Sequence, residues 1–197
     1  MEDMFERKYQ KVLEMLPDLA EITHSKLILV GGTALTIFYL KHRASIDIDL
    51  VPSNTEEVNS LKEMIKGALS KKGYQTQRAA HKNQFVVNFD NTSIKIEVFN
   101  SEHVIKKIEE FEVSGKKISV ASLSDLFEMK LLAYKDRKES RDLFDLIEIL
   151  KKENRELSLV KELVKKYGKP ERVDDVAGMA FNDSDYLEFV RAIEDVT

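Results

Sequence analysis

The sequence predicts an α/β fold in the broad sense that includes α+β proteins. A core with a mixed sheet is followed by a helical region. Over the first 120 residues, segments with the apolar alternation of strands are interspersed with segments of helical spacing. From residue 121 onward only helical patterns follow. We therefore predict an α/β core over residues 1–120 and a helical C-terminal region over residues 121–197, packed on that core.

The first 51 residues predict the order helix, strand, helix, strand. Residues 3–16 carry apolar side chains at helical spacing, and we expect Pro17 to end this helix. The apolar run Lys26–Val30 predicts a short buried strand, and Thr33–His42 has the apolar face of a helix. Ser45–Val51 alternates strictly between apolar and polar residues, which is typical of a half-buried strand.

The rest of the chain predicts two hairpins and a series of helices. Asn54 or Thr55 is a suitable N-cap for a helix that runs to about Lys71. Strands are predicted at Gln84–Phe89 and Ser93–Phe99, and a second hairpin over Phe111–Val120. Helices are predicted near residues 123–136, 139–152, 156–167 and 182–194.

The composition excludes several classes of protein. The chain has 197 residues, 43% of them hydrophobic, which is enough for a buried core. It has no Cys, which excludes a disulfide framework, a Cys-ligated zinc site and a Cys nucleophile. The formal net charge of −4 gives no general attraction to nucleic acid or to a membrane. Apolar runs are too short to span a bilayer and the N-terminus lacks a signal-peptide pattern, so we expect a cytoplasmic protein without a membrane partner.

Two carboxylates share the polar face of the predicted strand Ser45–Val51. Asp47 and Asp49 are two positions apart, so on a strand their side chains point to the same face, about 7 Å apart. Carboxylates this close repel each other unless a cation lies between them, and Mg²⁺ in phosphoryl-transfer sites meets that need. The alternative is an ordinary solvated strand face, where water and salt screen the repulsion.

Gly31 and Gly32 lie between a predicted strand and a predicted helix. Backbone N–H groups at such a point bind anions, phosphate above all, although a tight turn would also explain the two glycines. Neither a P-loop nor a dinucleotide-binding glycine pattern is present. An anion site and a cation site within about 20 residues nevertheless suit a nucleoside triphosphate with its metal.

The run Gly31-Gly32-Thr33-Ala34-Leu35, followed by the run from Arg43 to Leu50, resembles the nucleotidyltransferase superfamily related to DNA polymerase beta. Within it, the sequence is most similar to the AbiEii-type branch, whose members include toxins of toxin–antitoxin pairs. That branch has GG-x-x-L, then R-x-S/T-x-D-I-D, then a helical Lys and R-D-x-x-D. Here the later elements are Lys130 and the run from Arg141 to Leu146. The branch often has a basic residue directly after GG-x-x-L, where this chain has Thr36.

The resemblance implies roles for the matching residues. Mg²⁺ or Mn²⁺ would be held by Asp47, Asp49 and a third carboxylate on a later strand, for which Glu97 is our choice and Asp90 the alternative. The implied catalytic residues are these three ligands together with Lys130. The implied nucleotide-binding residues are Gly31, Gly32, Thr33, Arg43, Ser45, Lys130, Arg141 and Asp145.

The charged segment from Lys130 to Asp145 allows two interpretations. If one helix continued from Lys130 through Arg137 and Arg141 to Asp145, the four side chains would share one stripe and could lie over a triphosphate. The alternative is surface ion pairing at i,i+4 spacing, and the candidate pairs are Lys135–Glu139, Lys138–Asp142 and Arg141–Asp145.

Residues 62–82 are a candidate surface for an acceptor. They hold six cations against one acid: Lys62, Lys66, Lys71, Lys72, Arg78 and Lys82 against Glu63. Such a local excess suits a nucleic-acid acceptor such as a tRNA end, although a solvated helix is the simpler alternative.

Taken together, the residues predict a Mg²⁺-dependent enzyme that moves a nucleoside monophosphate from an NTP to an acceptor hydroxyl. RNA or tRNA is the expected acceptor and an antitoxin protein an expected partner, as in the toxin–antitoxin relatives. Two alternatives remain. One is an aminoglycoside-type enzyme that modifies a small molecule. The other is a non-catalytic nucleotide- or partner-binding module, which the loss of a basic residue at position 36 would favour.

Overall fold

The computed structural model describes residues 4–194 and gives them seven strands, seven α-helices, a π-helix and a 3₁₀ helix. The strands are β1 (Leu27–Val30), β2 (Asp47–Pro52), β3 (Gln75–Arg78), β4 (Gln84–Phe89), β5 (Thr92–Val98), β6 (Ile108–Val113) and β7 (Lys116–Ala121). The α-helices are α1 (Met4–Thr23), α2 (Gly31–Ala34), α3 (Val58–Lys71), α4 (Leu123–Arg137), α5 (Ser140–Lys152), α6 (Ser158–Tyr167) and α7 (Asp183–Glu194). The π-helix is Leu35–Leu40 and the 3₁₀ helix is Val173–Val176. The predicted helix start at residue 3, and residues 195–197 of the predicted helical region, lie outside the described residues.

The chain divides into two compact units. Unit 1 contains residues 4–34 and 45–122 of the described chain, and unit 2 contains residues 35–44 and 123–194. The short segment 35–44 therefore groups with the C-terminal helices although it lies early in the sequence. No helix among residues 4–194 combines the length and the apolar character that crossing a membrane requires.

Unit 1 is built on one mixed seven-stranded sheet with the order β3-β4-β5-β2-β1-β7-β6. The β4–β5 and β6–β7 neighbours are antiparallel hairpins, as predicted. In the centre, β2 is parallel to β5 and antiparallel to β1, and β1 is parallel to β7. This arrangement confirms the α/β, mixed-sheet prediction.

The alternation in β2 and β5 produces one apolar and one polar sheet face. The apolar residues of both strands are fully buried: Ile48, Leu50, Ile94, Ile96 and Val98. On the other face, the parallel register places Asp47 beside Lys95 and Asp49 beside Glu97, and all four are only partly buried. The hydrophobic effect therefore sets the direction in which both aspartates point.

Helix α1 does not end before Pro17, so the predicted stop is wrong. The helix runs on to Thr23, and Pro17 lies inside it. A proline within a helix removes one backbone hydrogen bond and costs about 3 kcal/mol. Here buried residues continue on both sides of it, from Val12 and Leu16 to Leu19 and Ala20. Packing of this stripe offsets the local cost.

Two other local predictions need correction. The helix predicted from Asn54 or Thr55 begins at Val58, with Glu57 as an N-cap that makes no side-chain capping bond. Asn54 instead accepts a hydrogen bond from the N–H of Glu56 at 3.0 Å, which forms a local turn before the helix. The edge strand β3 was not predicted, because its sequence Gln-Thr-Gln-Arg is polar throughout and almost fully exposed.

In unit 2 the helical backbone is interrupted between α4 and α5. Helix α4 ends at Arg137, Lys138 has a left-handed backbone (φ 53°), and α5 starts at Ser140. The predicted continuous stripe from Lys130 to Asp145 therefore does not exist as one helix face.

The predicted helix Thr33–His42 also differs in detail, because the helical backbone starts at Gly31 and becomes a π-helix from Leu35 to Leu40.

Candidate active site

Asp49 lies directly against Gly31 in unit 1. Gly31 has φ +73°, and a Cβ built on it would overlap Asp49 Oδ2 and lie 3.2 Å from both Cβ and Cγ of Asp49. Only glycine fits this position without a shift of the aspartate. The end of β1 and the polar face of β2 are thus in contact where the sequence predicts the triphosphate and the metal.

The start of β2 is tied to α2 through Thr33. The Thr33 hydroxyl lies 3.0 Å from Ser45 Oγ and donates to the main-chain carbonyl of Asp47. Thr33 is fully buried and Ser45 nearly so. These two predicted nucleotide-binding residues therefore fix the backbone that carries Asp47.

The polar face of β2 and β5 carries charges of both signs. Lys95 Nζ lies 3.2 Å from Asp47 Oδ2, and Glu97 accepts a hydrogen bond from Gln84 Nε2 at 2.8 Å. Asp90, the alternative third carboxylate, lies exposed in the β4–β5 turn. Across the described residues 4–194, no three carboxylate or imidazole groups are clustered as a ready metal site.

Asp47 and Asp49 nevertheless fit a divalent cation. They offer hard carboxylate oxygens, the ligands that Mg²⁺ prefers, on a partly exposed face. The Lys95 ammonium beside Asp47 shows that this face attracts positive charge. The missing side chain at Gly31 leaves the Asp49 carboxylate room that any other residue would fill.

Unit 2 contains a buried charge network centred on Asp145. Arg43 donates to the Asp145 carboxylate from Nε at 2.6 Å and from Nη2 at 2.7 Å. His42 Nε2 lies 2.6 Å from Asp145 Oδ1, and Lys130 Nζ lies 2.7 Å from Oδ2. Asp145 is completely buried. Burial by itself would raise the pKa of Asp145, but the charges of Arg43 and Lys130 outweigh it and hold that pKa well below its ordinary value.

The network continues to Asp142. Lys130 Nζ donates to Asp142 Oδ1 at 2.8 Å, and Arg137 donates to the same carboxylate from Nε at 2.7 Å and Nη2 at 2.9 Å. Burial raises the pKa of Asp142, but Lys130 and Arg137 outweigh this effect and lower it. Lys130 therefore bridges two buried carboxylates.

His42 is neutral in this network. Burial lowers the pKa of its imidazole more than the hydrogen bond with Asp145 raises it. Its Nδ1 atom is buried and makes no hydrogen bond within the described structure. Since Asp145 is an acceptor, Nε2 carries the proton and Nδ1 is a bare acceptor.

A family model described as "Nucleotidyl transferase AbiEii toxin, Type IV TA system" matches residues 16–193 of the chain. The chain belongs to the AbiEii nucleotidyltransferase family. This match covers most of the sequence and confirms the resemblance drawn from Gly31-Gly32, the two aspartates and the later Arg141–Leu146 run. No curated protein sequence matches this AbiEii-family chain.

Solved structures with a similar fold include nucleotidyltransferase-like proteins. An antigenic nucleotidyltransferase-like protein from Paracoccidioides brasiliensis aligns with TM-score 0.56 and 14% identity, over 87% of this chain and 93% of that one. A candidate nucleotidyltransferase from H. pylori aligns with TM-score 0.53 and 21% identity, over 97% and 86%. JHP933 from Helicobacter pylori gives TM-score 0.50 and 21% identity, over 94% and 78%. At these identities the likeness concerns the fold.

The site residues predicted from the sequence divide between the two units. Unit 1 holds Gly31, Gly32, Thr33, Ser45, Asp47, Asp49 and Glu97, and unit 2 holds Arg43, Lys130, Arg141 and Asp145. Within unit 2 the structure brings Arg43, Lys130 and Asp145 together. Arg141 is apart from them. It pairs with Glu139 and lines a cleft of 530 Å³ bounded by residues 136–141 and 171–179.

The surface ion pairs predicted for the segment that forms α4 and α5 are absent from the described residues. Asp142 and Asp145 point inward, where Lys130, Arg137 and Arg43 bind them, so neither is available to Lys138 or Arg141. His42 and Asp142 are not among the residues predicted for the site. Asp142 is the first aspartate of the R-D-x-x-D run that begins at Arg141, whereas the signal for His42 is only its position directly before Arg43.

Two cations of the basic segment 62–82 are engaged by contacts within unit 1. Lys62 is buried, and its ammonium donates to the carbonyl of Lys82 at 2.7 Å and to Asn59 at 3.0 Å. Lys72 pairs with Asp18 at 2.9 Å and with Glu21 at 3.3 Å. Two of the six predicted cations thus serve the fold, and the predicted acceptor surface is correspondingly weaker.

Proposed function

We propose that this AbiEii-family nucleotidyltransferase transfers a nucleoside monophosphate from an NTP to a hydroxyl of an RNA acceptor, and that Mg²⁺ or Mn²⁺ assists it. One observation carries the proposal: Asp47 and Asp49 share the polar face of β2, with the Asp49 carboxylate against the side-chain-free Gly31. This contact supports the proposal, because carboxylate oxygens of the kind that Mg²⁺ prefers lie next to a backbone without a side chain.

The residues of unit 1 have distinct parts in this proposal. Asp47 and Asp49 would hold the divalent ion, which when bound neutralises the triphosphate charge and orients it. Thr33 fixes the backbone at Asp47 through its hydrogen bond to that residue's carbonyl. Glu97, on the neighbouring strand and opposite Asp49, is the proposed proton acceptor for the attacking hydroxyl.

The transfer step is a displacement at the α-phosphorus and needs no oxidant or reductant. The acceptor oxygen forms a bond to the α-phosphorus, and the bond from that phosphorus to the leaving pyrophosphate breaks. The hydroxyl proton passes to Glu97, and the pyrophosphate carries the electron pair away. Holding the acceptor and the NTP in line supplies much of the rate acceleration.

An antitoxin is the proposed counterpart of this activity. The family model that matches the chain describes toxins of type IV toxin–antitoxin systems. We infer that the chain is such a toxin and that a separate protein counteracts it.

The first experiment is thermal unfolding with each of the four NTPs, with and without Mg²⁺. Ligand at about 100 times its Kd stabilises the folded state by about 2.7 kcal/mol. For a chain of this size the unfolding temperature rises by about 5–10 °C. We expect this shift for the wild type and not for Asp49→Asn. Glu112→Gln, which changes an exposed carboxylate on β6, is the matched control and keeps the shift. A flat result with all four NTPs would contradict the proposal.

The acceptor is tested with the NTP that gives the largest shift. The nucleotide is labelled at the α-phosphate and offered with total tRNA or with a panel of amino-alcohol compounds. Label in the RNA supports the proposed acceptor, and label only in the small molecules supports the aminoglycoside-type alternative. NTP binding with no transfer to either class would identify a non-catalytic module.

A further inference from the structure

Exposed lysines are concentrated where α4 and α6 end in unit 2. The hydroxyl of Tyr134 on α4 donates to the carbonyl of Gly168, directly after α6, at 2.7 Å. This bond holds the C-terminal ends of the two helices together. The five lysines at these ends form what we call the α4–α6 lysine cluster: Lys135, Lys138, Lys165, Lys166 and Lys169.

Tyr167 organises the centre of the cluster. The Lys135 ammonium lies 6.0 Å from the centroid of the Tyr167 ring, and the Lys166 ammonium lies 5.3 Å from it. These are cation–π distances, and each such contact stabilises an exposed cation by about 0.5–1 kcal/mol. Two ammonium groups are therefore held beside one ring, although their charges repel each other.

The lysines of the cluster are not held in ion pairs within the described part of the chain. Among residues 4–194, none of its five lysines forms an ion pair, and all five are exposed. Two acids on the same helices, Asp136 and Glu162, are not paired with them. Lys62 and Lys72 in the basic segment 62–82, by contrast, are bound to unit 1 oxygens. The α4–α6 cluster is thus a group of exposed cations without ion pairs in residues 4–194, on a chain whose formal net charge is −4.

We propose that the α4–α6 lysine cluster binds the phosphate backbone of the RNA acceptor. This inference rests on the proposed function, which requires a polyanionic acceptor, and it assigns that acceptor a binding surface. A set of fixed ammonium groups without protein partners gains free energy from a polyanion, because phosphate contacts release condensed counterions into solution. Ammonium groups read charge and not base identity, so the cluster would position an RNA without selecting its sequence.

The test compares two double variants with equal charge changes. Lys135→Gln/Lys166→Gln removes the two cations at Tyr167. Lys66→Gln/Lys71→Gln removes two cations of α3 that have no ion pair within the described residues. Binding of fluorescently labelled total tRNA is measured by anisotropy over a range of salt concentrations. We expect the cluster variant to bind at least tenfold more weakly, and the α3 variant to bind like the wild type.

The salt dependence shows whether phosphate contacts are lost. Each lost contact lowers the slope of log K against log salt by about 0.7–0.9, so two contacts lower it by about 1.4–1.8. A third variant, Tyr167→Leu, keeps all charges but releases the two ammonium groups, and we expect an affinity between those of the wild type and the cluster variant. Equal weakening in the cluster and α3 variants would overturn the proposal, because it would indicate general charge attraction only.

Two further measurements test whether the cluster prefers RNA and whether it acts independently of the NTP site. Vesicles with anionic lipids and poly-glutamate are offered to the same variants, and binding to either that is tighter than binding to tRNA would overturn the assignment to RNA. The thermal shift with NTP and Mg²⁺ is measured on the cluster variant, where we expect it unchanged. Unweakened tRNA binding by this variant overturns the inference and leaves the proposed function intact, whereas a flat shift for the wild type overturns the proposed function on which the inference rests.

Discussion

Arg43 and Asp145 lie 102 positions apart in the chain, and in unit 2 the guanidinium of Arg43 donates two hydrogen bonds to the Asp145 carboxylate. The same carboxylate also contacts His42 and Lys130, so four side-chain nitrogens surround its two oxygens. Because Asp145 is completely buried, these contacts fix the positions of Arg43 and Lys130 within unit 2.

Replacement of Asp145 by Asn should destabilise the protein strongly. The amide keeps the volume of the side chain but leaves Arg43 and Lys130 with one buried carboxylate between them. Breaking a buried ion pair in this way costs about 3–5 kcal/mol. Urea unfolding at pH 7 measures the loss. The control is Asp136→Asn at an exposed position of α4, for which we expect a change within about 0.5 kcal/mol. Similar unfolding midpoints for the two variants would contradict the network described above.

His42 should make the stability fall as the pH drops below about 6.5. Burial lowers the pKa of folded His42 below the ordinary value of 6.5, although Asp145 acts in the opposite direction. Below pH 6.5 the unfolded chain therefore takes up a proton that the folded chain does not, and stability is lost by up to about 1.4 kcal/mol per pH unit. Above that pH both states are neutral at His42, and its contribution is fully present.

The check is urea unfolding of the wild type, His42→Gln and His81→Gln between pH 7.5 and 5. His81 is exposed, so its replacement is the control for removal of an imidazole at the surface. His42→Gln should flatten the curve in this window. The low pKa values of Asp142 and Asp145 act in the same direction, but only as the pH falls below the ordinary carboxylate value of 3.8. An unaltered slope in His42→Gln would mean that the folded protein can protonate this imidazole.

The strands that carry the unit 1 site could be predicted because their signal is local. Apolar and polar residues alternate along β2, and burial of Ile48 and Leu50 leaves Asp47 and Asp49 only one face to occupy. The β4–β5 hairpin has the same kind of signal, together with turn residues between its strands. Each of these features lies within one short stretch of the chain, the longer being Gln84–Val98.

The features that escaped prediction depend on distant residues. Nothing near Pro17 shows that packing carries α1 past it, and nothing near Lys138 shows that the chain leaves the helix there. The inward direction of Asp145 depends on Arg43, far away in the sequence. In the surface-pairing interpretation, i,i+4 spacing assigns Asp142 and Asp145 to surface pairs, whereas both are buried.

Lys62 should contribute to stability although it lies in the segment predicted as an acceptor surface. Its ammonium donates to the Lys82 carbonyl and to Asn59, and its side chain is buried. In Lys62→Met these acceptors lose their donor, which costs about 1–3 kcal/mol. Lys71→Met, at the exposed end of the same helix, should change the free energy of unfolding by less than about 0.5 kcal/mol. If urea unfolding gives equal changes in the free energy of unfolding for the two variants, the contacts of Lys62 do not stabilise the fold.

Two glycines of unit 1 allow a direct test of the contact between β1 and β2. Gly31→Ala forces a residue into φ +73° and drives its Cβ into the Asp49 carboxylate. The left-handed backbone alone costs about 1–2 kcal/mol. Gly67→Ala is the matched control, because this helical glycine in α3 has open space around it. Alanine there should stabilise the helix by about 0.8–1 kcal/mol.

The two alanine variants should also differ in ligand binding. If Asp49 must keep its position against Gly31 to hold the metal, Gly31→Ala loses the thermal shift with NTP and Mg²⁺, and Gly67→Ala retains it. The shift is measured by a temperature scan that starts where Gly31→Ala is still folded, as circular dichroism verifies. A folded Gly31→Ala protein with the full wild-type shift would show that the carboxylate can move without loss of the site. Loss of the shift together with a retained fold would instead tie NTP binding to this one contact.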